Sequence, residues 1–159
     1  MTNDIIIING IKISMSKPPC YDDVSAAFGI KPQAYFTYGD TIHCVDVPIP
    51  TPDIIDHERE HMKQQLAMLG PDTEPTPENY VEGAELWWGK FLRNEAFRMD
   101  QEAKAYGKQF RWIATRTTNR QARFAYLQAF AQSLSGPLYN NAIDLMSAMH
   151  LIRQHSGIK

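Results

Sequence analysis

Two histidines four residues apart flank a glutamate in His57-Glu58-Arg59-Glu60-His61. On a helix, that spacing projects both imidazoles from one face. Two ring nitrogens then reach a single zinc ion at about 2.0–2.1 Å. Glu58, next to the first histidine, lies beside the ion without ligating it, placed to take a proton from a water that the ion activates. Catalytic zinc usually has three protein ligands and one open position, so a third donor is required. Glu102 is the favoured candidate, 41 residues beyond His61 on the next long helical stretch, where the small residues Ala103 and Ala105 allow close helix approach. Glu95, seven residues earlier and roughly on the same face, is the fallback.

A ligating histidine is oriented by an acceptor for its other ring N–H. Gln64 and Gln65 follow on the same helix, with Asp56 and Asp100 as alternatives. Each feature also has a plain reading: a solvated face for the histidine pair, and an i,i+4 ion pair for Arg98 and Glu102. Trp87, Trp88, Phe91, Phe97, Phe110 and Trp112 read as core or near-core aromatics on helices. His150 and His155, five apart, do not share a helix face well.

The elements that must position these residues follow from pattern. Asp4 to Ser14 is β-branched and broken at Asn9-Gly10, a hairpin turn. Tyr35 to Val47 gives a second strand pair about Gly39-Asp40, and Tyr21 to Phe28 a short helix. After Pro48, Pro50 and Pro52, a helix runs from Asp53, its expected N-cap, to about Leu69 and stops at Gly70-Pro71. Thr76-Pro77 starts the next. Glu78 to Trp112 is one long helix or a kinked pair, with Gly83 and Gly89 as weak points. Helices over 118–134 and 140–155 complete the chain. The fold class is α+β: a small N-terminal sheet, then a helical majority carrying the histidine pair. The expectation is one domain over 1–159, strand-rich over 1–50, with metal-site helices over 53–112 and C-terminal helices over 118–155.

The 159 residues, 43% hydrophobic and 11% aromatic, suit a globular chain. A net charge of −2 offers no excess of cations for phosphates, so nucleic acid is not expected, despite Arg111, Arg116, Arg120 and Arg123. Ile5 to Ile8 is too short for a signal h-region and follows Asp4 rather than a basic segment. No stretch approaches the roughly 20 apolar residues of a membrane span. Cys20 and Cys44 read as two free thiols.

Glu102-Ala103-Lys104-Ala105-Tyr106 resembles the E-x-x-A-D or E-x-x-A-Y signature of gluzincin metallopeptidases, whose first Glu is the third zinc ligand. His57 to His61, followed by Met62-Lys63-Gln64-Gln65, resembles their H-E-x-x-H-x-x-Q-Q helix. With Trp87-Trp88 and Phe97-Arg98 between, residues 45–112 are most similar to short gluzincin-like proteins of bacteriophages and prophages. A weaker similarity covers Leu134-Ser135-Gly136-Pro137-Leu138-Tyr139. The resemblance implies Zn2+ held by His57, His61 and Glu102, and a hydrolase acting on a peptide or protein through Glu58 as general base. It implies, as the other reading, a virion or assembly component that retains the fold with or without metal. The place of action would be the bacterial cytoplasm or the virion, with other phage structural proteins as partners. Tyr106 stands where many gluzincins carry Asp. His43, Tyr80, Tyr139 and His150 are the candidates for stabilising the oxyanion.

Overall fold

The computed structural model describes residues 5–29 and 33–158, so the expected strand start at Asp4 lies outside it. The architecture is α+β, a small N-terminal mixed sheet followed by helices.

Strands β1 (Ile5–Ile8) and β2 (Ile11–Ser14) pair antiparallel about Asn9-Gly10. Both turn residues have positive φ, 50° and 79°, the backbone that matches the twist of a two-residue hairpin. Helix α1 (Tyr21–Phe28) closes on Gly29 in the left-handed region. Strands β3 (Ala34–Tyr38) and β4 (Thr41–Val45) form the second hairpin about Gly39-Asp40. The hairpins join through a parallel β2–β4 pairing, giving the order β1-β2-β4-β3.

Helix α2 (Pro52–Ala67) follows Thr51, which is its N-cap in place of Asp53. Pro52, whose fixed φ suits a first helical turn, starts the helix two residues earlier than a cap at Asp53 would and leaves Asp53 inside that turn. Helix α3 (Pro77–Arg93) starts where Thr76-Pro77 predicts, with the Asn79 N–H donating to Thr76 Oγ1 at 3.2 Å. Helix α4 (Glu95–Ala114) is separate from α3. The break falls at Asn94, not at a glycine: its backbone is extended and its side chain accepts from the Phe97 N–H at 2.9 Å. Helix α5 (Arg120–Leu134) is capped by Asn119 and helix α6 (Leu145–Ser156) by Asp144. Before α6 lies a 3-10 turn, Pro137–Tyr139. Asn140 and Asn141 have positive φ, 56° and 50°, which keeps a helix from starting at 140. No helix among the described residues is long and apolar enough to cross a membrane.

Contacts divide the chain into two compact units. The first, residues 1–51 and 61–93, buries Ile13, Ile42 and Phe36 of the sheet with Trp87, Trp88 and Phe91 of α3. Trp88 donates its indole N–H to the Thr37 carbonyl at 2.9 Å, so its polar end is satisfied. The second, residues 52–60 and 94–159, packs α4, α5 and α6 about Ala103, Phe110, Leu127, Leu134 and Ile152. Cys20 and Cys44 are buried and outside any disulfide, and burial pushes the Cys20 thiol up to about 12.

Candidate metal centre

Helix α2 carries both histidines, so one continuous stretch of backbone fixes their separation. Its last turns are anchored by Gln65, fully buried. The Gln65 amide oxygen accepts from the Gly39 N–H at 2.8 Å, and its NH2 donates to the Thr37 carbonyl at 2.7 Å. Both ends of that amide grip the β3–β4 hairpin. Gln65 therefore serves the sheet and not a histidine.

Gln64 takes the histidine role: its Oε1 lies 2.8 Å from Nδ1 of His61. An amide oxygen only accepts, so Nδ1 carries the proton and Nε2 presents its lone pair. The His61 ring packs at 5.2 Å from Trp87. His57 is held in the same way by a residue the sequence did not mark. Its Nδ1 lies 3.1 Å from Oε1 of Gln109 on α4, and the Gln109 NH2 donates to Asp53 Oδ2 at 2.8 Å. Gln109 stands seven residues beyond Glu102, two turns along the same helix, which puts the two on one face but does not point to His57, 52 residues away. Asp56 and Asp100 are engaged elsewhere, with Arg59 at 3.9 Å and with Lys104 at 2.7 Å.

Glu102 faces His57, its Oε2 lying 3.4 Å from Nε2. The ligand atoms of His57, His61 and Glu102 all lie within 4.8 Å of one another. Glu95 is exposed at the start of α4, where its carboxylate accepts from the Asn140 side chain. Glu58 is buried beside His57 in the sequence, 5% exposed.

Two tyrosines line the carboxylate. The Tyr106 ring meets His57 edge-on, centroids 4.7 Å apart at 76°, and stacks on Phe130. Burial first, then the negative charge of Glu102, raises the Tyr106 hydroxyl above its ordinary range. Tyr139, in the 3-10 turn, is raised well above that range by the same two causes in the same order, and its hydroxyl donates to Glu102. Of the four oxyanion candidates, Tyr139 thus touches the cluster. His43 lies on β4 with Nδ1 2.9 Å from the Ser16 carbonyl, Tyr80 packs on Gly39, and His150 is exposed on α6.

The donor set fits a divalent ion. Each imidazole spends its proton on an amide oxygen, so the Nε2 lone pair of His57 points at a carboxylate oxygen. Buried acceptors that face one another repel, and the arrangement is costly without a cation among them. A proton on His57 would bridge to Glu102 alone, whereas an ion serves all three groups. Two imidazoles with one carboxylate are the donors that zinc accepts. No family model matches the chain, and no curated protein or solved structure matches it.

Proposed function

We propose that the protein is a zinc-dependent metallopeptidase-like hydrolase acting on a peptide or protein. The observation that carries the reading is the convergence of His57, His61 and Glu102 within 4.8 Å, with the outer nitrogen of each histidine occupied by an amide oxygen. The ion would be held by Nε2 of both histidines and the carboxylate of Glu102. When bound, zinc supplies a Lewis acid for the scissile carbonyl and makes water nucleophilic near neutral pH.

The chain's own groups supply the rest. Glu58, one residue from a ligand and held in a buried setting, takes the proton of the attacking water and returns it to the leaving amine. Gln64 and Gln109 keep the imidazoles turned inward. Tyr139 holds Glu102 by a hydrogen bond, and Tyr106 closes the side of His57 with an apolar ring edge.

Zinc content and peptide hydrolysis, measured together, test this reading. Wild type should carry about one zinc per chain and cleave members of a quenched-fluorescence peptide library, in line with a site of three ligands and one open position. His61→Ala should lose the metal, whereas Glu58→Gln should keep the metal and lose cleavage. Loss of zinc from Glu58→Gln alone would show that Glu58 is a ligand and not the base. A wild type that takes up no zinc would refute the reading.

A further inference from the structure

The contact between Gln109 and His57 has a direction that Asp53 determines. A glutamine amide can turn either end toward a neighbour, and its two ends ask opposite things of an imidazole. Here one end faces a carboxylate. The carboxylate oxygen of Asp53 accepts, and Gln109 gives it the NH2 group, at 2.8 Å. That leaves Oε1 to face His57, at 3.1 Å. An oxygen there requires a hydrogen on Nδ1, which in the neutral ring leaves Nε2 bare. Were the amide reversed, its NH2 would meet Nδ1, the proton would move to Nε2, and the nitrogen aimed at Glu102 would be blocked.

We propose that Asp53 and Gln109 are positioning residues for metal capture, a two-step relay in which a carboxylate orients an amide and the amide fixes the Nδ1–H form of His57. This rests on the reading of His57 as a zinc ligand. The relay joins the first turn of α2 to the C-terminal half of α4, inside one compact unit, and its middle member is buried. It also differs in kind from a carboxylate placed directly on the imidazole. The group on Nδ1 of His57 is a neutral amide, so it orients the ring without placing negative charge at that nitrogen, and the Asp53 carboxylate stays one hydrogen bond away.

The order of donors and acceptors makes the relay testable by reversal. Zinc affinity is measured by competition with a chelating dye. The Nδ1–H proton of His57 is followed by NMR in the zinc-loaded protein, at a pH above the histidine range. Gln109→Leu should weaken zinc binding about 10- to 100-fold, the effect of losing an outer hydrogen bond to a ligand. Its Nδ1–H proton should exchange rapidly. Asp53→Asn preserves shape but releases the amide to turn, so affinity should also fall. The double variant Asp53→Asn with Gln109→Glu restores the order: the new amide at position 53 donates to the new carboxylate at position 109, which accepts from Nδ1–H. Affinity and the slow proton should then return toward wild type.

A contribution from packing alone predicts no such rescue. Wild-type zinc affinity in Asp53→Asn, or a double variant no better than Gln109→Leu, would overturn the relay while leaving the zinc site standing. A wild type that binds no zinc would overturn both. If Gln109→Leu fails to fold, the near-isosteric Asp53→Asn and double variant decide the matter.

Discussion

A metal site is defined by where lone pairs point, and in this protein the neighbours of the two histidines set that direction. His57 and His61 offer Nε2 inward because amide oxygens of Gln109 and Gln64 occupy Nδ1. Glu102 completes the set from α4, 3.4 Å from His57, and Tyr139 steadies its carboxylate. Glu95 lies two turns earlier and is tied to Asn140. Glu102→Ala should therefore cost zinc affinity by at least the roughly 10- to 100-fold expected of an outer-shell change, and Glu95→Ala should leave it unchanged. Chelator competition on the two variants gives the answer, and a larger loss in Glu95→Ala would move the third ligand. Gln64 could be read from the sequence because it sits three residues beyond His61, on the same helix. Gln109 and Tyr139 could not, since their roles depend on contacts across 52 and 37 residues that no local spacing encodes. Gln65 misled for a related reason. Its position pointed to a histidine, and the β3–β4 turn claimed both ends of its amide.

At the scale of elements, the turns and caps were legible because their chemistry is local. Asn9-Gly10 and Thr76-Pro77 state their conformations in two residues each. The division of α3 from α4 is not where glycine suggests it, because Asn94 supplies the stronger signal, a cap for the helix that follows. The two glycines of α3 have different roles, and the difference is measurable. A Cβ at Gly83 would lie 2.4 Å from the carbonyl oxygen of Gln65 and 2.9 Å from its carbon, both backbone atoms of α2. Neither can give way, so the helices must separate. A Cβ at Gly89 would meet the guanidinium end of Arg93 at 3.2 Å, a flexible group free to move aside. Gly83→Ala should destabilise by about 1–3 kcal/mol as an overpacked contact. Gly89→Ala should stabilise by up to about 1 kcal/mol, the helix propensity that glycine forfeits. Urea denaturation of both variants separates them by sign, and an unperturbed Gly83→Ala would mean that α2 and α3 approach less closely than the structure has them.

For the molecule as a whole, the proposed metal ligands come from segments far apart in the chain, His57 and His61 on α2 and Glu102 on α4. An unfolded chain does not hold three such groups within 4.8 Å, so on the proposed reading zinc binds the folded state selectively and stabilises it. The size of the effect follows from mass action. Free zinc at about 100 times its dissociation constant adds about 2.7 kcal/mol. For a chain of this length, each kcal/mol moves the melting temperature by about 2–4 °C. Wild type should therefore melt about 5–11 °C higher with zinc than with chelator, the product of those two figures. His61→Ala should melt at one temperature under both conditions. Glu58→Gln should show the full wild-type rise, because the proposed role of Glu58 is that of a base and not of a ligand. A rise that persisted in His61→Ala would place the zinc elsewhere on the molecule. A rise lost in Glu58→Gln would return that glutamate to the ligand set.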